Sequence, residues 1–296
     1  MKPKVSLREV SDIQTTISQV RAIVGEAAFV EGKGKVVFFP ADPDSGINFE
    51  VGGLDALIPA TYEYLSRNEE HHTTSLRASD SLEIKTTEHL LAAVRGLGIS
   101  NLRIVISSKA FIPFLDGSAL GFTDMLIRSN IVNQSDFRQK RVIIEEPFRV
   151  KVGESFIWLE PDPGLVISAA IVFPDPIGVQ QFRYWNTTSM FCLHLAWART
   201  FAFKEFKNEE TTRVRLPGFK LDTGELITES NMIIYKDGKY ITDPRGPDEE
   251  ARHKILDVIG DLTLLPAPLQ GSLNICRPSH KLNHELLQII YNELGG

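Results

Sequence analysis

The chain has 296 residues, 43% of them hydrophobic and 24% charged, with a formal net charge of −6. That length suits about two ordinary domains, each able to bury a core. The acidic balance and the lack of a basic run exclude a nucleic-acid footprint, and no apolar run reaches the ~20 residues of a membrane span. Met1-Lys2-Pro3-Lys4-Val5-Ser6 lacks the apolar core of a secretory leader. Cys192 and Cys276 are isolated thiols that suit a reducing compartment and make no cysteine zinc site. The expected location is the cytoplasm.

Residues 1–85 read as strands and turns. Val36-Val37-Phe38-Phe39 is an apolar run stopped by Pro40, Asp42-Pro43-Asp44-Ser45-Gly46 is a turn cluster, and 47–51 and 56–58 are further strand pieces. His71-His72 lies among polar residues and reads as solvated loop. A helix starts near Glu88. Thr86 or Thr87 can cap it, Glu88 suits the positive end of its dipole, Leu90, Leu91, Val94 and Leu97 keep the helical period, and Gly96 and Gly98 end it. A strand over 101–106, a turn over 111–119 and a helix over 122–131 follow. Residues 132–140 are polar and predict a connection, so the domain boundary is placed there, giving units of 1–137 and 138–296. Strands resume at 141–144, 148–152, 155–159 and 165–172. Residues 187–198 predict a helix, 204–230 are charged without a readable period, and 232–241 predict a hairpin turning at Asp237-Gly238. A helix over about 247–264, a strand over 270–276 and a helix over 281–294 complete the chain.

Helix, strand, Pro-containing turn and helix therefore occur twice, at 88–131 and at 249–294, each time after a run of strands. The expected fold is α+β: two topologically similar domains, each a small sheet packed with two helices, with the active site between them. His89 and His253 begin equivalent helices, so a pseudo-twofold packing would bring them to one place.

The informative stretch is Arg252-His253-Lys254-Ile255-Leu256-Asp257-Val258-Ile259-Gly260-Asp261-Leu262. On a helix, His253, Asp257 and Asp261 share a face, and Ile255, Leu256, Val258, Ile259 and Leu262 would be buried. His253 and Asp257 can grip one divalent ion, with His89 as third ligand. Three protein ligands and one open position mark a catalytic zinc site, whereas a structural site is closed by four. The open position takes a water whose pKa falls to ~7, and Glu88, beside His89, can accept its proton. His280 can serve as general acid if a carboxylate keeps it protonated, and Asp261 is the candidate partner. Thr200 can donate a hydrogen bond to an oxyanion. Taken singly, each has an ordinary reading: an exposed His–Asp helix pair, two capping residues, a solvated loop histidine, a loop hydroxyl. His194, between apolar neighbours, reads as a packed histidine without a role.

Together, Glu88-His89-Leu90-Leu91-Ala92-Ala93 with Gly96-Leu97-Gly98-Ile99-Ser100-Asn101, Ile112-Pro113-Phe114-Leu115-Asp116-Gly117-Ser118-Ala119, Ala198-Arg199-Thr200-Phe201, the 252–262 stretch and Ser279-His280-Lys281-Leu282-Asn283 resemble the UDP-3-O-acyl-N-acetylglucosamine deacetylase family. These are zinc hydrolases of lipid A biosynthesis, and the segments keep the family's order and spacing over nearly the whole chain. The resemblance implies zinc on His89, His253 and Asp257, Glu88 as general base, His280 as cationic acid held by Asp261, and Thr200 at the oxyanion. Lys254 and Phe203 match positions that contact the nucleotide-sugar, and Phe201 is placed with them. It also implies an apolar passage for the acyl chain and UDP-3-O-acyl-N-acetylglucosamine as partner, without nucleic acid, membrane insertion or a second subunit. Iron or cobalt would suit similar donors. The chain departs from the family at 27–32, where a usual histidine is missing, at 226–231, which lacks glycines, and in the charged stretch 204–222. These departures bear on uridine and acyl recognition and keep a second reading open, a paralogue that binds a nucleotide-sugar or acyl chain without turnover. A purely structural protein would leave the His and Asp residues unexplained.

Overall fold

The computed structural model describes residues 3–27, 32–53, 57–67, 73–79, 82–107, 110–208, 211–216, 219–222 and 232–295, with backbone alone for 204–222. His71-His72 and the 226–231 segment lie outside the described residues. In chain order the first half holds β1 (Val5–Ile17), β2 (Arg21–Glu26), β3 (Lys33–Pro40), β4 (Ile47–Val51), β5 (Leu57–Pro59), β6 (Leu76–Ser79), β7 (Leu82–Ile84), α1 (Glu88–Gly96), β8 (Leu102–Ile106), α2 (Leu120–Arg128) and β9 (Ile131–Ile144). The second holds β10 (Phe148–Val152), β11 (Ser155–Glu160), β12 (Leu165–Val172), β13 (Val179–Trp185), α3 (Thr188–His194), β14 (Phe201–Asn208), β15 (Thr211–Leu216), β16 (Phe219–Asp222), β17 (Ile233–Lys236), β18 (Lys239–Tyr240), α4 (Glu249–Leu262), β19 (Leu269–Cys276) and α5 (His280–Glu293).

The repeat is visible in the strand order. The first sheet runs β2-β3-β8-β4-β5, with β8 antiparallel to β3 and parallel to β4. In the second, β10-β11-β19 continues through β12 to β13, with β19 antiparallel to β11 and parallel to β12. The two paths have the same connectivity and strand directions. The fold is thus α+β with two topologically similar units, and α1 and α4 are equivalent helices that pack on each other. One apolar cluster spans both units, from Phe38, Phe49 and Ile104 to Ile157, Ile167 and Leu273.

Several local expectations are corrected. Residues 132–140 belong to β9, which pairs antiparallel with β1 and touches β19 in parallel through Leu269↔Val142. Its polar side chains read as a linker, but a two-stranded ladder satisfies its backbone while leaving much of it at the surface. The 137/138 division therefore falls within a strand. The helix expected over 187–198 is confined to Thr188–His194, capped by Thr187, whose hydroxyl accepts from the Met190 N–H. Thr87 makes no side-chain cap on α1, because its hydroxyl donates to the Thr74 carbonyl. The 232–241 hairpin forms as expected, with Asp237 and Gly238 both at positive φ in the turn. Within 204–230, β14, β15 and β16 form an antiparallel run.

Helix α4 shows what positions the site. Every one of its residues except Lys254 is buried. Its apolar stripe faces the core, and His253, Asp257 and Asp261 face His89 and Thr74 of the first unit. At the crossing with α1, Gly260 lies against the Glu88 main chain, where a Cβ would stand 2.2 Å from the carbonyl oxygen. Only glycine permits that approach.

Candidate metal centre and active site

The close crossing brings the start of α1 to the middle of α4. His89 is 5% exposed, His253 1% and Asp257 3%. Asp257 Oδ1 lies 3.3 Å from His253 Nε2 and 3.6 Å from His89 Nε2. Its other oxygen, Oδ2, accepts from Lys254 Nζ at 2.7 Å. Oδ1 is fully buried and has no hydrogen-bond partner among the described residues, an arrangement that costs stability unless something compensates it. Ligands held tetrahedrally at about 2.0–2.2 Å stand about 3.3–3.6 Å from one another, so the two separations suit three ligands of one metal ion. His253 Nδ1 is 3.1 Å from the Ala198 carbonyl. Donation of Nδ1–H there leaves the Nε2 lone pair facing Asp257. Burial pushes His253 down to about 3, which keeps it neutral. Burial opposes the ionisation of Asp257, but the neighbouring His253 and Lys254 outweigh it and hold the carboxyl well below its usual range.

Ala198 is fixed by its neighbour. Arg199, buried, donates from Nε and its backbone N–H to Glu249 Oε1, each at 2.9 Å, and from a terminal nitrogen to the Asp243 carbonyl. This pair ties the 198–200 segment to the N-terminus of α4. Thr200 is set by its backbone, with its N–H on the Gly117 carbonyl and its carbonyl accepting from Ile233.

The proton-handling groups lie beside the His–His–Asp set. Glu88 is 2% exposed, and burial raises its pKa. Its Oε2 accepts from the Thr74 backbone N–H at 3.0 Å. The Thr74 hydroxyl reaches over to Asp261 Oδ1. Asp261 Oδ2 receives His280 Nδ1 at 2.8 Å and Asn283 Nδ2 at 2.7 Å. Burial alone would lower the pKa of His280, but the Asp261 carboxylate outweighs it and pushes the imidazole up to about 9. His280 Nε2, free of that bond, lies 3.8 Å from Asp257 Oδ2. Asp261, His280 and His284 form a second group whose donor atoms lie within 4.8 Å. Here, unlike at Asp257, both carboxylate oxygens already have hydrogen-bond donors, so the group holds an acid rather than offering an open metal set.

The cleft is walled by Glu88, His89, His253, Asp257 and His280, with Thr73, Thr86, Phe114, Phe173, Thr200, Lys254, Pro278 and Ser279. Sequence-predicted Glu88, His89, Thr200, His253, Lys254, Asp257 and His280 thus converge on one space, and Asp261 stands directly behind His280. Phe201 does not line the cleft itself but stands beside it, with Lys254 Nζ 5.6 Å from its ring centre. It is 1% exposed, in an adjoining aromatic cluster with Phe203, Tyr235 and Tyr240 that meets the cleft through Phe173, whose ring is 5.2 Å from Phe201. Sequence reading missed Thr74, His284 and the Arg199–Glu249 pair. The four-residue step from His280 to His284 was a usable signal for the second. Thr74 carried none.

A buried His–His–Asp set with one unpartnered oxygen, flanked by a carboxylate and a carboxylate-held imidazole, defines the class: a candidate mononuclear hydrolase centre at the junction of two α+β units. The comparisons agree with that class. Residues 14–292 match the family model described as LpxC, UDP-3-O-acyl N-acetylglycosamine deacetylase. Three proteins named UDP-3-O-acyl-N-acetylglucosamine deacetylase are similar along their length. The one from Anaeromyxobacter sp. (strain Fw109-5) is 32% identical over 95% of this chain and 90% of its own. Those from Wolinella succinogenes and Oleidesulfovibrio alaskensis are 33% and 35% identical, over 95% and 94% of this chain and 91% and 88% of theirs. The chain belongs to the UDP-3-O-acyl N-acetylglycosamine deacetylase family.

Proposed function

We propose that this chain is a zinc-dependent deacetylase. It removes the N-acetyl group from UDP-3-O-acyl-N-acetylglucosamine in lipid A biosynthesis, acting as a cytoplasmic monomer whose two units divide at 137/138, within β9. The observation that carries the metal part is Asp257 Oδ1, buried without a partner and facing two imidazole nitrogens. The relatives' names support the substrate. His89, His253 and Asp257 would hold the zinc, which when bound supplies a Lewis acid for the acetamide carbonyl and lowers the pKa of water.

The chain's own groups do the rest. Glu88, its pKa raised by burial, takes the proton of the attacking water. As the C–O bond forms, the Thr200 hydroxyl and the His280 imidazolium stabilise the charge on the carbonyl oxygen. When the C–N bond breaks, His280 gives its Nε2 proton to the leaving amine, and Asp261 keeps the ring oriented. Acetate and the free amine of UDP-3-O-acyl-glucosamine are the products. Lys254, Phe203 and Phe201 would meet the nucleotide-sugar, Lys254 Nζ lying 5.6 Å from the Phe201 ring centre. The aromatic cluster reached through Phe173 would receive the acyl chain.

The test is acetate release from UDP-3-O-acyl-N-acetylglucosamine by the purified protein, with metal quantified on the same sample. Release that stops on chelation and returns with about one equivalent of zinc, the stoichiometry of a single three-ligand site, is expected. One bound metal without acetate would refute the substrate, and acetate release indifferent to chelation would refute the metal.

A further inference from the structure

The array behind the acid includes one histidine that this mechanism does not use. His284 lies one turn after His280 on α5, so both rings project from the same face of a rigid helix. We infer that His284 is a positioning residue for the Asp261–His280 pair, acting through the hydroxyl of Thr74; the kinetic part of this inference rests on the deacetylase reading above.

Counting protons fixes the direction of each bond. The Thr74 hydroxyl has one proton to give, and the Asp261 carboxylate can only accept, so the proton points at Asp261 Oδ1. His284 Nε2 lies 2.9 Å from the same hydroxyl oxygen. With the hydroxyl proton committed, Nε2 must be the donor. His284 is thereby the neutral Nε2–H tautomer, and burial, which pushes its pKa down to about 4, favours that uncharged form. The chain of donors runs from His284 to Thr74 to Asp261, and it meets the donation from His280 on the other carboxylate oxygen.

Thr74 is an unusual place for such a donor to act. Its backbone N–H holds Glu88, its carbonyl accepts from Thr87, and its hydroxyl holds Asp261. One residue therefore registers the base against the partner of the acid. His284 fills one of that hydroxyl's two acceptor sites, the oxygen also lying 3.3 Å from His280 Nδ1, and stops it from rotating away from Asp261. Without it, Asp261 Oδ1 loses its fixed donor, and the His280 ring loses part of the frame that aims Nε2 at the cleft.

Two variants and one spectrum test this on the zinc-loaded full chain. His284→Leu removes the donor, and is expected to lower kcat roughly 10-fold, as for other residues that hold a catalytic group in place, with KM and bound zinc unchanged. His284→Gln, whose amide can still donate, is expected to recover most of the loss. Imidazole 15N shifts at neutral pH are expected to show His284 neutral and protonated on Nε2. A folded, zinc-loaded His284→Leu protein with wild-type kcat overturns the proposal, as does a His284 found cationic or protonated only on Nδ1. If His284→Leu does not fold, His284→Gln and the tautomer decide. If the wild type releases no acetate, the activity assigned above fails, and the tautomer alone still decides the array.

Discussion

Replacing Gly260 with alanine perturbs the contact that brings the two halves of the site together. The new Cβ would stand 2.2 Å from the Glu88 carbonyl oxygen, 2.8 Å from its carbon and 3.0 Å from its Cα. Ordinary contacts begin near 3.5 Å, so α1 and α4 must separate by about 1 Å. Overpacking of this kind costs about 1–3 kcal/mol, while alanine returns about 1 kcal/mol of helix propensity. The net loss of stability is therefore small, about 0–2 kcal/mol. The effect on turnover is larger, because the backbone displaced is that of Glu88, with His89 next to it. A misplacement of about 1 Å can cost ~10² in rate. Urea unfolding of the variant should give a modestly lowered midpoint, and kcat, normalised to bound metal, should fall by about two orders of magnitude. A Gly260→Ala protein with wild-type kcat and metal affinity would show that the α1–α4 approach does not set the site, and would refute the reasoning.

Three other substitutions test separate links. Glu88→Gln should lower kcat by ~10²–10⁴, the range for a lost general base, with metal retained; full activity would remove Glu88 from that role. Arg199→Ala breaks a buried ion pair and should cost about 3–5 kcal/mol of stability, read from denaturant unfolding; a loss below about 1 kcal/mol, as for an exposed pair, would show that the pair does not anchor α4. The His280 pKa, raised from 6.5 to about 9, predicts the pH behaviour of metal-free protein. Because the folded value lies above the unfolded one, its stabilisation is complete below about 6.5 and is lost as pH rises through about 9. The destabilisation caused by Asp261→Asn should accordingly be larger at about pH 6 than at about pH 10, and a pH-independent difference would contradict the pairing.

Much of this site was legible because its residues sit at helical spacings. His253, Asp257 and Asp261 recur every four positions, and a helix turns that spacing into a face whatever surrounds it. The duplicated order of helix, strand, turn and helix also carried across, since sheet connectivity follows element order when each unit must bury its own sheet. What failed had a different physics. β9 is polar in composition and strand in structure, because a ladder to β1 needs backbone partners rather than apolar side chains. Thr74 belongs to no periodic element, and its importance comes from its bonds to Thr87, Glu88, Asp261 and His284, none of them near it in sequence. Nearly the whole of α4 is buried, with Asp261 under Thr74 of the first unit and Glu249 and Glu250 under Arg199, Gln180 and Tyr235 of its own.

The ladder of β1 with β9 also sets an order of events in folding. β1 is separated from its partner by the whole of the first unit, since β9 begins only at Ile131. Until the two meet, β1 is an open edge with no ladder to join. The same ribbon reaches β19 through Val142 and Leu269, so that contact waits until residue 269 has been made. Closing loops of that length costs entropy that local hairpins such as β10–β11 do not incur, and such pairings form slowly. The β1–β9 ribbon thus closes later than the local hairpins, and its contact with β19 later still.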